Sequence, residues 1–315
     1  MQGRSLFRKE PEIPQSLIAE ISYDKPRRTD LAVCFAFFNY TGSSRLIMNY
    51  LYVTEKLKVA RIPLFTIELV IEGSQPCIKD ALHVYGKSYL FQKENLCRVL
   101  EKKLPPKYSK ILFLDADIIF QHPGWYDMLS ELLDTNEICH CFETAHWLDL
   151  TYRKIIKSES SYISSPDKDI LLSENNGRKA YHCGFGWAFK RDWYRKAGFI
   201  DQAVLGSGDL IFSFGLYGQT YQGTQDLSFY LSSIKNWYTK IDSPNISFLP
   251  VSIYHMFHGN LKNRQYVSRN EIFSGIQDIK DMIIKNKYGV FELVDKSLNE
   301  KLFEYFNSRI DDSIE

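Results

Sequence analysis

The sequence has no CxxC pair, no long apolar run and no excess of either charge, and each absence removes a class of function. Its six cysteines (Cys34, Cys77, Cys97, Cys139, Cys141, Cys183) are scattered. With no short-chain disulfide framework to build, they are expected as buried thiols in a reducing compartment. No window approaches the roughly 18 apolar residues of a membrane-spanning helix, and the leading stretch MQGRSLFRKEPEIPQ lacks the apolar core of a secretory signal. A soluble, cytoplasmic protein with no transmembrane segment is the expectation. Lysine and arginine total 39 against 38 acids, a net charge of +1. Nothing in that balance calls for nucleic acid as a partner, so any recognition of phosphate has to be local. Internal repeats and low-complexity linkers are absent too, which favours one continuous domain.

What is present is aromatic bulk and one conspicuous strand. The 20 Tyr, 21 Phe and 5 Trp suit flat, amphipathic ligands such as sugars and bases, although most will be core. The run Lys110-Ile111-Leu112-Phe113-Leu114-Asp115-Ala116-Asp117-Ile118-Ile119-Phe120 is β-branched and apolar except where it places two carboxylates one residue apart. Asp115 and Asp117 then leave a buried strand facing a crevice, where Mg²⁺ or Mn²⁺ accepts carboxylate oxygens and keeps positions open for phosphate. A strand ending in an Asx turn or helix cap is the plainer reading of the same residues.

Residues 1–30 are polar and proline-punctuated and read as an arm laid over the domain. Leu31 to Phe38 is a short apolar run followed by the turn Asn39-Tyr40-Thr41-Gly42-Ser43-Ser44, which predicts a strand and then a helix over about 43–57. A second strand is expected over 64–71 and a helix over 92–103, stopped by Pro105-Pro106, with the strand carrying Asp115 and Asp117 third. Strands alternating with helices predict an α/β fold with a mostly parallel central sheet flanked by helices. Ligands bind outside the carboxyl ends of such strands, so Asn39, Glu72 and Asp115 are expected to converge on one crevice. Further on, Lys157–Arg178 reads as a mobile loop able to close over a bound ligand, Tyr181–Phe189 and Ser247–Tyr254 as strands, and 268–312 as a helical tail.

Three later segments carry chemistry. Cys183-Gly184-Phe185-Gly186-Trp187 puts glycines in an aromatic strand, which lets a ligand approach the backbone or merely marks a bulge. Gly206-Ser207-Gly208-Asp209 places an acid at the start of a helix, as a cap or as a carboxylate able to take a proton from a bound hydroxyl. In His255-Met256-Phe257-His258-Gly259-Asn260 the imidazoles are three apart, so they share a metal only if the chain turns, which Gly259 permits.

In their order, FLDAD, CGFGWAFKRDWYRKAGFID, GSGDLIF and HMFHGNLKNRQ resemble the GT-A nucleotide-sugar glycosyltransferases, most nearly the metal-dependent β1,4-galactosyltransferase type, with polypeptide N-acetylgalactosaminyltransferases as cousins. The resemblance spans residues 31–270, a nucleotide-binding half (31–125) and an acceptor and metal half (126–270), leaving 271–315 as a helical extension. It implies that Asp117 binds Mn²⁺ (or Mg²⁺) and the diphosphate, with Asp115 nearby on the donor. It implies that His258 is a metal ligand and His255 a second metal contact, that Gly184 lies beside the donor sugar, and that Phe37 and Asn39 belong to the uridine pocket. Asp209 matches the segment whose carboxylate is the base in inverting members. That family has a run of acids and a tryptophan where this chain has Val204-Leu205-Gly206-Ser207-Gly208-Asp209, so its acceptor preference does not transfer, and Asp209 is the sole local acid. Lys93 is a candidate phosphate contact, although the preferred reading of Lys93-Glu94-Asn95 is a solvated helix face.

The activity so implied is transfer of a sugar from a nucleoside diphosphate sugar, a UDP-sugar by resemblance, to a hydroxyl of a glycan or glycoprotein with inversion. A retaining enzyme on the same fold and a metal-dependent nucleotidyltransferase are the alternatives, and an inactive carbohydrate-binding protein is the third.

Overall fold

A computed structural model describes residues 15–165, 181–218, 226–265 and 268–313. Strands β1 (Leu31–Phe38), β2 (Leu64–Ile71), β3 (Leu82–Gly86), β4 (Lys110–Leu114), β5 (Ile118–Phe120), β6 (Ile138–His140), β7 (Thr144–Leu148), β8 (Ile155–Ser161), β9 (Tyr181–His182), β10 (Gly186–Lys190), β11 (Ile246–Phe248) and β12 (Ser252–His255) form two sheets. The helices are α1 (Ser44–Val59), α2 (Lys93–Glu101), α3 (Trp125–Thr135), α4 (Arg191–Lys196), α5 (Gly208–Gly215), α6 (Leu231–Tyr238) and α7 (Ser297–Ser308).

The seven-stranded sheet has the order β11-β6-β10-β4-β1-β2-β3, and only β10 runs against its neighbours. The expected α/β architecture with a mostly parallel central sheet flanked by helices is therefore what the chain forms. Continuous apolar runs follow from burial on both faces. Leu31, Val33, Phe35 and Phe37 join one core with residues of α1 and α3, while Ala32 and Cys34 join the other with α2, α4, α5 and α6. Five of the six cysteines are buried and none is paired.

Strand order reverses between β1 and β4, so the crevice at their carboxyl ends is the expected ligand position. Because β10 is antiparallel, Gly186 lies opposite Leu114, and the residues preceding β10 arrive at that crevice. In the five-stranded sheet β5-β12-β7-β8-β9, His255 pairs with Ile118 and so lands beside Asp117. Arg191, buried at the start of α4, donates to Glu101 and to the carbonyls of Glu101, Leu104, Pro105 and Tyr108, which ties the end of α2 to β10.

Several expectations need correcting. The strand bearing Asp115 is the fourth, because β3 intervenes. Residues 157–161 belong to β8 rather than to a loop, and the expected loop from 166 onward lies outside the described residues. The 181–189 strand is broken at Cys183–Phe185, where Phe185 has φ 77°. The 247–254 strand splits between the two sheets as β11 and β12. The tail expected to be helical holds short 3₁₀ turns, a hairpin (Ile283–Lys285 with Phe291–Leu293) and α7. Among the described residues, no helix is long and apolar enough to cross a membrane.

Candidate metal and transfer site

Asp115 and Asp117 part company at the end of β4. The Asp115 amide donates to the Phe185 carbonyl at 2.8 Å, which fixes the exit of β4 against the broken strand. Its carboxylate contacts the Lys93 ammonium. Asp117, 8% exposed, points the other way, with Oδ2 3.0 Å from His258 Nε2 and 3.7 Å from His255 Nε2. Ligand atoms of Asp117, His255 and His258 all lie within 4.8 Å of one another. The chain turns after β12 to bring the second imidazole back, and Gly259 takes φ 90° there. Burial pushes His255 down to about 3 against the opposing pull of Asp117, and burial with Arg264 lowers His258 as well, so both rings are neutral and keep a lone pair.

These residues fit a divalent cation. Asp117 Oδ1 is buried without a hydrogen-bond partner, and the two Nε2 atoms face each other at 3.0 Å, an arrangement in which only one can supply the proton. One carboxylate and two imidazoles make a mixed donor set that suits Mn²⁺ and leaves positions open. Asp115 is not part of this cluster; the lysine has claimed it.

Lys93 is therefore not on a solvated face. Burial works against its ammonium, but Asp115, Asp209 and Glu94 outweigh that and hold its pKa above the ordinary lysine value. Glu94, only 4% exposed, was also missed as a site residue. Its Oε2 has no partner, and burial, reinforced by Asp209 and Asp115 against Lys93, pushes it to about 8, so it keeps its proton at neutral pH. The signal was legible: Glu94, Cys97 and Glu101 share one stripe of α2, and acids on a buried stripe are not there for solvation.

Asp209 is the second residue of α5, after the N-cap position Ser207, and its Oδ1 accepts from the Leu210 amide at 2.9 Å. It is not the sole local acid, because Glu94 packs against Gly208. A Cβ at Gly208 would lie 2.4 Å from the Glu94 carboxyl carbon. Gly208→Ala should therefore destabilise the fold by about 1–3 kcal/mol in denaturant titrations, despite alanine's better helix propensity. Adding Glu94→Ala should restore part of the loss, and additive effects would mean that the two do not touch.

At Gly184 the missing side chain leaves room for its neighbours. A Cβ there would come within 2.5 Å of Asp209 Oδ2 and 3.0 Å of His182 Nε2. The Phe37 ring, 5% exposed, packs on Tyr50 in the core. Asn39 exchanges two 2.9 Å hydrogen bonds with Ser43 to close the turn before α1, so both of its amide atoms are engaged. Glu72 pairs with Lys87 at 3.7 Å on the far side of β1 and takes no part.

The C-terminal segment enters the site, and nothing in its sequence signalled it. Arg264 donates to the His258 carbonyl at 2.6 Å and touches the same ring. Asp311 lies 3.7 Å from Arg264 and 3.3 Å from Arg309, while Asp312 accepts from Ser43 Oγ and from the amides of Ser44 and Arg45 at the start of α1. An acid at a helix N-terminus satisfies amides that have no partner within the helix.

No family model and no curated protein matches the chain. Among solved structures, a Drosophila β1,4-galactosyltransferase 7 variant in complex with manganese, UDP-Gal and xylobiose is 13% identical with a TM-score of 0.36, over 62% of this chain and 66% of that one. The match therefore spans just under two thirds of that enzyme's chain. Mycobacterium tuberculosis glucosyl-3-phosphoglycerate synthase in complex with Mn²⁺, UDP-Glc and phosphoglyceric acid is 10% identical with a TM-score of 0.38, over 86% and 92%. A Bacillus anthracis protein described as a putative glucose-1-phosphate thymidylyltransferase is 10% identical with a TM-score of 0.35, over 71% and 88%. Likenesses this distant, spread over two reaction classes, carry no argument about activity.

Proposed function

We propose that the chain is a divalent-metal-dependent glycosyltransferase of the GT-A kind that moves a sugar from a UDP-sugar to a hydroxyl of a glycan or glycoprotein acceptor, inverting the anomeric centre. One observation carries the reading: Asp117 presents a buried, unpartnered carboxylate oxygen beside two neutral imidazoles, at the mouth of the crevice between β1 and β4. Residues 31–270 form the transferase unit in this reading, and 271–315 an extension whose end reaches the metal corner.

Asp117, His255 and His258 would hold the cation. When bound, it supplies Lewis-acid charge for a departing diphosphate. The remaining work falls to the chain. Lys93 and Arg264 place positive charge on either side of Asp115 and Asp117, where phosphate oxygens need it. Gly184, having no side chain, lets Asp209 and His182 close in beside the donor sugar. Asp209 accepts the proton of the attacking hydroxyl, which is too weak a nucleophile to react unaided. The sugar's bond to phosphate breaks with its electron pair on the diphosphate, and the new bond forms from the opposite face.

Incubation with a panel of UDP-sugars and Mn²⁺ should release free UDP, and EDTA should stop it. Release of pyrophosphate from a nucleoside triphosphate, without UDP from any donor, would instead make the chain a nucleotidyltransferase.

A further inference from the structure

His182 is the side chain that the reading above leaves without a role. Its Nδ1 lies 3.2 Å from Glu159 Oε2, and Glu159 is 8% exposed and also held by Lys157 at 2.6 Å. The ring is clamped between the face of Phe185, with centroids 4.0 Å apart, and the edge of Trp147 at 5.1 Å. A carboxylate on Nδ1 selects the tautomer with the proton on that atom, which leaves the lone pair on Nε2. Nε2 and Asp209 Oδ2 flank the same glycine, 3.0 Å and 2.5 Å from the point where a Gly184 Cβ would stand.

We propose that Glu159 and His182 form a base dyad serving the same hydroxyl as Asp209, with the attacking oxygen seated over Gly184. This rests on the glycosyl-transfer reading. One proton moves: the hydroxyl gives it up as its oxygen bonds to the anomeric carbon, Asp209 or the His182 imidazole takes it, and the diphosphate leaves with the electron pair of the broken bond. The imidazolium so formed is held by Glu159, in the way a buried acid supports a histidine base. Without Asp209, the imidazole takes the proton directly.

Charged and titratable groups face His182 from four sides: Glu159 with Lys157 on β8, Asp209 on α5, His140 at the end of β6 and His255 at the end of β12. His140 is pushed down to about 3 by burial and His255 to the same level, so neither opposes the proton with a charge of its own.

The test uses whichever of UDP-galactose and UDP-glucose the wild type cleaves in Mn²⁺, with water as acceptor. Asp209→Asn should keep a residual rate that declines as pH is lowered through the range where imidazoles titrate. Asp209→Asn with His182→Gln should lose at least about tenfold more and show no such decline. Equal rates and equal pH profiles in the two variants would overturn the dyad while leaving the transferase intact. Absence of Mn²⁺-dependent UDP release by the wild type, with no UDP binding, would take both readings down together. A readout independent of turnover is ¹⁵N NMR of the imidazoles in the metal-free protein: His182 should show the tautomer with its proton on Nδ1, and Glu159→Gln should shift it toward the Nε2–H form. An unchanged tautomer population contradicts the pairing.

Discussion

Asp117→Ala abolishes Mn²⁺-dependent binding of UDP while leaving the metal-free fold close to wild type. The carboxylate makes one contact of hydrogen-bond length, Oδ2 to His258 at 3.0 Å, and its Oδ1 has no partner to lose. The bond that shapes the backbone there, from the Met256 amide to the Asp117 carbonyl at 2.9 Å, survives any side-chain change. Thermal unfolding without metal should therefore change little. Losing a charged ligand from a set of three should cost more than the roughly 10–100-fold that removal of a supporting hydrogen bond costs a metal site. Isothermal titration calorimetry with UDP, with and without Mn²⁺, separates the cases. Wild-type affinity in the alanine variant would show that the triad is a hydrogen-bonded knot and nothing more.

Asp209→Asn has a different signature. Asparagine keeps the shape and an oxygen able to accept from the Leu210 amide, and loses only the charge that favours an acid in a first helical turn, worth about 0.3–1 kcal/mol. If the residue only orders the first turn of α5, the substitution is silent. If it takes the acceptor's proton, turnover falls by about 10²–10⁴-fold, the usual worth of a positioned base, while binding of UDP with Mn²⁺ stays within about twofold. Steady-state rates of UDP release beside calorimetric affinities decide between them. A parallel fall in both would mean that the variant has lost the site rather than the base.

How much of this was legible in the sequence varied with the range of the physics involved. β1 was readable to the residue because a strand buried on both faces is apolar throughout, and β2 because its apolar run is broken only by Thr66 and Glu68, whose buried carboxylate accepts from the amides of Cys77 and Ile78. β3 was missed because it is a half-buried edge strand, LHVYG, with no such run. β8, reading IIKSESS, is largely exposed and looked like a loop. The glycines flanking Phe185 signalled a bulge, but that Phe185 itself takes φ 77°, with its ring stacked on those of His182 and His255, follows from no residue pattern.

The site divided along the same line. Asp117, His255 and His258 were named together from the order of motifs that resembles a metal-dependent family, with Gly259 permitting the turn, and the three side chains do come together. Lys93 was misjudged because a lysine opening a helix looks the same whether it meets water or, as here, a carboxylate delivered from the end of β4. His182, Glu159 and the Arg264–Asp311–Arg309 chain depend on the register of a second sheet and on a tail that returns to the N-terminus of α1. No local pattern encodes contacts of that separation.

The central claim is that Asp117, His255 and His258 bind one divalent cation at the crevice. The most direct measurement is anomalous diffraction from a crystal soaked in MnCl₂ and UDP. A manganese peak should lie among Asp117 Oδ1, His255 Nε2 and His258 Nε2, with UDP phosphate oxygens beside it. A peak coordinated elsewhere, or nucleotide bound with no metal at these three side chains, would contradict the account.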